Sequence, residues 1–414
     1  MIALIAKNID YYSFLGKFAA SKKLTILSYS ELKTSIHFIL AESGNTFSGQ
    51  LNNCFKQLNN IREELNKPSK IISLTFFVAA ESSEKYQSYK EIANSYVKER
   101  FAKAHPAVAF VSQDPENGKS VALEVFMDHG MPNRLIYKQH ENIPYVVVEH
   151  KNYKEVYVSG LTGAIKGDIH ENSNTALSQM EKILNAEKMD FSNIVRQWNY
   201  IERITHVSDK LKKFQHYQIF NDIRSDFYSK SEFINGYPSA TGIGASACGV
   251  VVNFIAVSNS ANVKITPVKN PEQIDAHQYS QKVLVGRESY KSSPKFERGK
   301  LVTNGEGAKM YISGTAAIVG ESTLFPDDVE KQVIVTINNI KNLVKSAQIP
   351  KLYDTQPDEE SSYSYVRAYV KYAKDIETVK RLCEKHFNSD CFQCLVSDIC
   401  RDNLLVEIEG LIEY

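Results

Sequence analysis

The sequence predicts an α+β protein made of three tandem units whose sheets bury their faces against one another. Three observations predict it. First, "EVYVSGLTGAIKGD" (155–168) and "KMYISGTAAIVGES" (309–322) repeat one pattern: apolar strand, Ser-Gly, a small-residue loop, then a helix. Second, the same strand and helix order follows each copy, and the first third fits a diverged version of it. Third, "IISLTFFV" and "VVVNFIAV" are nearly continuous apolar runs, as expected of strands covered on both faces. Each unit is a mixed sheet with two helices on one side. Three copies in one chain can cover the other side mutually, closing into an intramolecular pseudo-trimer.

The elements follow in order, with boundaries near 1–130, 131–265 and 266–414. In the first unit "IHFILAESGN" is strand plus Ser-Gly. "TFSGQLNNCFKQLNNIREELN" is an amphipathic helix with Leu51, Phe55, Leu58 and Ile61 on one face. "KIISLTFFVAA" is a strand, "YQSYKEIANSYVKERFA" a helix, and "AVAFVSQDPENGKSVALEVFM" a hairpin turning at "ENGK". In the second unit the "NTALSQMEKILN" helix precedes the strand "DFSNIVRQWNYIERI" and a helical segment from "SDKLKKFQ" to "FYSK". A small-residue loop, "PSATGIGASACG", then leads to "VVVNFIAV". In the third unit the helix from "DDVEKQ" is followed by "SYSYVRAYVKYA", the helix "DIETVKRLCEKHF", "CFQCLVSDICRDN" and the closing strand "LLVEIEGLIEY". Superposing "VALEVF", "VVVNFI" and "LLVEIE" puts Glu124, Asn253 and Glu407 at one equivalent position.

The totals exclude several function classes. The chain has 414 residues, 43% hydrophobic and 23% charged, with a net charge of +1, so it lacks the electrostatic footprint of a nucleic-acid binder. Neither the "KLKK" run (210–213) nor "VKNP" builds a basic stripe with interleaved aromatics. "MIALIAKNIDYY" has no basic leader before an apolar core, and the uncharged stretch 238–263 is too broken to span a membrane. Six cysteines in a chain this long suggest a reducing cytoplasm rather than a disulfide scaffold. "CFQC" (391–394) lacks a second pair at finger spacing, and a strand sends its two cysteines to opposite faces, so no metal is expected. "GIGASACG" precedes a strand instead of opening a helix and is not a dinucleotide fingerprint; no cofactor is expected.

The repeated unit, with Ser-Gly after a strand and "VEIEG" near the end, resembles the Rid/YjgF family of chorismate-mutase-like trimers. The last two thirds resemble the chorismatases more narrowly. "RQWNYIERI" (196–204) resembles that family's "WNY-P-I" run, "YQIFNDIR" (217–224) its "YRxFxxGR", and "PSATGIG" (238–244) its "PAATGIG". "NPEQIDAHQYS" (270–280) resembles "NPxQVSAYxYP", "SPKFERG" (293–299) "SPSFSRA", "SGTAAIVGES" (313–322) "SGTASIVGxE", and "ICRDNLLVEIEG" (399–410) "VCRSDLLVEIEG". This chain departs from the pattern at Gln218 (an Arg there), Ile223 (Gly), His277 (Tyr) and Ser280 (Pro). A Rid-type imine deaminase would carry an Arg one strand before the terminal Glu, where this chain has "CFQC".

The resemblance implies hydrolysis of chorismate, with release of pyruvate and a hydroxybenzoate or dihydroxycyclohexadienoate. Such a substrate is a dianion with an acid-labile enol ether. It needs fixed cations and a carboxyl acid kept protonated by burial. The cations that fall on the motifs are Arg224 and Arg298, with Arg196 a third. Strand alternation in "LLVEIEG" puts Glu407 and Glu409 on one face and Val406 and Ile408 on the other; Glu407 is the expected acid, Glu409 its alternate. Tyr217, Tyr279 and His277 are candidate ligand contacts, and Trp198 reads as core. The small residues Gly242, Gly244, Ala247, Cys248, Gly314, Thr315 and Ala316 would let backbone amides approach a flat ring. The expected partner is a small aromatic-like carboxylate, with no nucleic acid and no membrane, bound by a monomer with internal threefold pseudosymmetry. The rival readings are a ligand-binding protein that lost the chemistry and a Rid-like hydrolase of enamines or imines.

Overall fold

The computed structural model describes residues 34–65, 68–129, 134–164, 167–208, 214–284, 291–305, 307–348, 362–389 and 391–414. The leader stretch and the "KLKK" run read above lie outside them. The α+β class is what the described residues form: three mixed sheets, each carrying two helices.

The first sheet is built from β1 (Thr34–Leu40), β2 (Lys70–Val78), β3 (Ala107–Val111) and β5 (Val121–Asp128), in the order β1-β5-β2-β3, with α1 (Phe47–Glu64) and α2 (Ser83–Arg100). The two-residue β4 (Asp114–Pro115) leaves this sheet and pairs with the third. The second sheet holds β6 (Leu135–His140), β7 (Ile143–Glu149), β8 (Lys154–Thr162), β9 (Ile194–Glu202), β10 (Ser239–Ala245) and β11 (Val250–Val257), with α3 (Ile169–Ala186) and α4 (His216–Tyr228); its order is β10-β9-β11-β8-β7-β6. The third holds β12 (Lys264–Val268), β13 (Gly299–Asn304), β14 (Gly307–Ala316), β15 (Ser362–Val370), β16 (Phe392–Val396) and β17 (Val406–Glu413), with α5 (Val329–Ser346) and α6 (Ile376–His386). Its order is β12-β13-β14-β17-β15-β16-β4. In every sheet the last strand in sequence lies in the middle, and the pairs β2/β3, β9/β10 and β15/β16 run parallel.

Local chemistry sets the helix starts. The side chains of Thr46, Ser82, Asp168 and Asp328 each accept an amide hydrogen bond from the first turn of α1, α2, α3 and α5. Such a cap is worth about 1 kcal/mol. The apolar faces then pack on the sheets: Leu51, Phe55 and Leu58 on the first, Leu177, Met180 and Leu184 on the second, Val333, Ile337 and Ile340 on the third. Burying one such side chain contributes roughly 1.5–3 kcal/mol. The largest cluster crosses between sheets, joining Phe76 and Phe77 to Tyr200, Ile243, Tyr369 and Leu404.

Four expectations are corrected. "PSATGIGASACG" is not a loop: Ser239–Ala245 form β10, parallel to β9. Residues this small carry no hydrophobic alternation, so nothing in the sequence marks the strand. Ser159–Gly160 and Ser313–Gly314 do not end their strands. They lie inside β8 and β14, where the pairing with β11 and β17 shifts register, as a bulge does. The first unit's Ser43–Gly44 has no such place and lies beyond β1. The chain reverses at residues 116–119, but β3 and β5 do not form a hairpin. A turn signal reports a reversal, not which strands pair; β3 runs parallel to β2, and β5 inserts between β1 and β2.

The fourth correction concerns register. Phe77, Tyr200 and Tyr369 occupy matching positions, opposite Ala122, Val251 and Glu407 on the closing strands. Thr75, Trp198 and Arg367 then lie opposite Glu124, Asn253 and Glu409. Glu409, not Glu407, is therefore the counterpart of Glu124 and Asn253. A slip of two residues keeps every side chain on its own face, so the period-two pattern cannot detect it.

Candidate active site

Glu407 lies on β17 between Ala316 of β14 and Tyr369 of β15. Its side chain enters a cleft between the second and third sheets. Helix α4 supplies Tyr217, Gln218 and Asn221, and β10 supplies Ala240 and Gly242. The third unit supplies Tyr279, Phe296 and Arg298, then Gly314, Ala316 and Ile318, then Cys400, Arg401 and Leu404.

Two glycines make room for the key side chains. A methyl group on Gly314 would lie 2.0 Å from Oε1 of Glu407, and one on Gly242 would lie 2.7 Å from the Tyr217 ring. The bulge in β14 thus opens the space that the Glu407 carboxyl fills.

The electrostatics distinguish the two glutamates. Glu407 is 4% exposed, and no hydrogen bond reaches its carboxyl among the described residues. Burial and then the nearby Glu409 push its pKa up to about 8, against the opposing pull of Arg196 and Arg298. Glu409 is fully buried and saturated. Arg196 (2.7 Å), the Trp198 indole (2.9 Å), Thr241 and Arg367 (3.0 Å) all donate to it. Arg367 also pairs with Glu124 of the first sheet. Glu409 sits in an ionic network, while burial and the charge of Glu409 favour the protonated form of Glu407.

The cations facing the cleft are Arg298 and Arg401. Arg298 donates to the Ile274 carbonyl (2.7 Å) and the Tyr279 hydroxyl (2.6 Å). Arg401 donates to the Glu321 carbonyl (2.8 Å). Their guanidinium carbons lie 5.4 and 5.3 Å from the centre of the Tyr279 ring, so both cations are within cation–π reach of it. The next residue, Ser280, donates its amide and hydroxyl to the Glu321 carboxylate at 2.8 and 2.7 Å. A proline there could not make the amide bond, so the Ser280 departure has its own local anchor.

Of the residues singled out in the sequence, Glu407, Tyr217, Tyr279, Arg298, Gly242, Gly314 and Ala316 line this one cleft. The others do not. Glu409 is spent on the ionic network. Arg196, the third cation, is held by Glu409, Thr241 and Ser239. Gly244, two residues along the same face of β10, lies beyond the lining against Asp398: its amide donates to the Asp398 carbonyl, and its carbonyl accepts from Gln113 and Ser397. Ala247 and Cys248 pack in the core shared with the first sheet. Thr315 turns from the cleft by strand alternation, its hydroxyl donating to the Ser313 carbonyl. His277 lies 5.4 Å from the Tyr237 ring, outside the cleft lining. Arg224, 1% exposed, lies behind Asn221 and donates to its Oδ1 at 2.7 Å.

Asn221 and Arg401 were not among the sequence candidates. Both stand inside the motif stretches "YQIFNDIR" and "ICRDNLLVEIEG". Asn221 is one helical turn from Tyr217, so the stripe Tyr217, Asn221, Arg224 was readable from i, i+4, i+7 spacing. Among the described residues no group of three or more His, Cys, Asp and Glu side chains could hold a metal.

The fold has a counterpart among solved proteins. A crystal structure of a chorismatase superposes with a TM-score of 0.64 at 18% identity, covering 92% of this chain and 98% of that one, which is a likeness of fold. The sequence comparisons narrow it. Residues 127–256 match the family profile described as chorismatase FkbO/Hyg5-like, N-terminal. A 3-hydroxybenzoate synthase of Streptomyces hygroscopicus is 26% identical over 232 residues, 55% of this chain and 65% of its own length. A chorismatase of Streptomyces rapamycinicus is 27% identical over 231 residues, 54% of this chain and 65% of its own. The chain thus spans just under two thirds of the length of these curated relatives.

Proposed function

We propose that this protein cleaves the enolpyruvyl ether of chorismate, or of a related cyclic enol-ether acid, releasing pyruvate and a hydroxybenzoate or dihydroxycyclohexadienoate. The observation that carries the reading is Glu407: a buried carboxyl, poised to hold its proton at neutral pH, in a cleft faced by two arginines. Arg298 and Arg401 would hold carboxylate, and Tyr279 beside them would line the ring's approach. Glu407 would protonate the methylene carbon of the enol ether, leaving an oxocarbenium ion beside its carboxylate. Addition of water there gives a hemiketal, and its collapse expels the ring oxygen and yields pyruvate. Glu407 recovers its proton from that water. Loss of one water from the dihydroxycyclohexadienoate ring, balancing the water taken up in hydrolysis, gives the hydroxybenzoate.

In this reading the chain is a monomeric pseudo-trimer of units 1–130, 131–265 and 266–414, and one of its three inter-unit clefts does chemistry. The positions matching Glu407 are Ala122 and Val251, which cannot supply an acid. The cytoplasmic setting belongs to the same proposal; among the described residues no helix is long and apolar enough to cross a membrane.

One observation favours a second reading, a binding protein without turnover. Gln218 stands where the chorismatase motif has Arg, and its amide is engaged by Asp222 and the Ser292 carbonyl. Incubation with chorismate and an enzymatic pyruvate assay separates the two. Pyruvate in amounts exceeding the protein supports the first; none, with chorismate still bound, supports the second.

A further inference from the structure

A second hollow is lined by residues of all three sheets and shares none of them with the Glu407 cleft. Ser73 and Thr75 come from β2, Trp198 from β9, Asn253 from β11, and Tyr365 and Arg367 from β15. Thr75, Trp198 and Arg367 are the matching positions of the three units, each opposite the closing strand of its own sheet. Where sheets pack face to face, such inward positions are ordinarily filled by interdigitating side chains. Here Ser73, Thr75 and Ser159 are too small to fill theirs, and a space remains.

The walls and the polar groups define what fits. Phe126 and Tyr157 meet edge to face at 5.4 Å, and with Trp198 and Tyr311 they offer ring surface to a flat apolar body. The charges in the lining are already matched. Arg367 pairs with Glu124 and Glu409, and Lys309 lies 3.6 Å from Glu155 and 3.8 Å from Glu413. An ionic ligand would add a buried charge with no partner, which is costly. What the lining has in excess is hydrogen-bond donors. The hydroxyl of Tyr365, a residue 3% exposed, and Nε of Arg367 have no hydrogen-bond partner among the described residues. Asn253 accepts from the Gly160 amide at 2.8 Å through Oδ1, and no hydrogen bond among the described residues engages its NH2 group. Buried donors without an acceptor are unfavourable, and an acceptor oxygen among them relieves that cost.

We propose that this hollow is a second binding site, for a neutral single-ring molecule carrying a hydrogen-bond-accepting oxygen, with the Tyr365 hydroxyl as donor. It stands apart from the Glu407 cleft, so its test needs no turnover. Trp198 is the one tryptophan of the chain and lines the hollow but not the cleft, so its fluorescence reports occupancy. Benzyl alcohol, toluene and benzoate share one ring and differ in the group it carries. Benzyl alcohol changes Trp198 emission saturably, toluene binds about fivefold more weakly, and benzoate leaves the emission unchanged. Fivefold is the scale of one neutral hydrogen bond. Tyr365→Phe brings benzyl alcohol to the level of toluene without lowering Tm, because the deleted hydroxyl bonds nothing within the protein. Ser73→Leu fills the hollow and abolishes the response to both, with native circular dichroism. No saturable response in the wild type, which is a hollow that takes water only, overturns the site. A wild-type response from Ser73→Leu puts the binding elsewhere and overturns it too. Equal affinity for benzyl alcohol and toluene, or a benzoate response matching that of benzyl alcohol, overturns the class of ligand.

Discussion

Glu407 sits where burial and the charge of Glu409 both resist its ionisation, so its pKa lies at about 8. The acid form is then the working form, and turnover falls as pH rises through about 8. Glu407→Gln removes the proton and abolishes pyruvate release while chorismate still binds; persistent release would take Glu407 out of the mechanism. The same shift affects stability. A carboxyl raised above its unfolded value favours the native state fully below that value, near 4.5, and the contribution is lost as pH rises through about 8. The wild-type Tm therefore drops between pH 6 and 9 more than that of Glu407→Gln, as a scan of Tm against pH would reveal. Gly314→Ala tests the geometry. Its methyl cannot coexist with Oε1 of Glu407 at 2.0 Å, so the carboxyl must move. Misplacement on that scale costs on the order of a hundredfold in kcat. Far-ultraviolet circular dichroism should remain native, and an unaltered kcat would mean that the carboxyl's position is not critical.

At the scale of elements, β17 carries two glutamates on one face with opposite fates. Alternation told that they share a face, and the "VEIEG" motif told that one matters. Neither could tell which meets cations, because the arginines that hold Glu409 come from β9 and β15, distant in sequence. For the same reason Arg401 escaped notice: what aims it into the cleft is a carbonyl of the distant Glu321. β10 was illegible for a different cause, since its Ala, Gly and Thr residues are chosen for close approach and leave no apolar pattern. Glu409→Gln follows from the network. It leaves Arg196 and Arg367 short of a buried partner, a loss of about 3–5 kcal/mol by analogy with other broken buried pairs. It also removes the charge that, with burial, raises Glu407, so the alkaline limb of the rate profile moves below its wild-type position. A large fall in Tm with an unmoved limb would mean that Glu409 serves the fold alone.

Across the whole molecule, the repeat was the most legible feature, because three sheets must each bury a second face and the apolar runs announce it. The register of the closing strands was not legible, since a two-residue slip preserves every face. The register explains why the three similar sheets differ at this position: the counterparts of Glu407 are Ala122 and Val251, set in apolar surroundings that join the sheets. We propose that the first unit acts by packing. Phe77, fully buried, meets Tyr200 at 6.4 Å and shares a cluster with Tyr369, the strand partner of Glu407. Phe77→Ala should lower stability by about 3–5 kcal/mol, the usual cost of deleting a buried phenylalanine ring. Since Phe77 lies outside the cleft lining, KM for the ligand should hold at temperatures well below the new Tm. A normal Tm with a raised KM would reverse that assignment and make the first unit part of the binding site rather than its support.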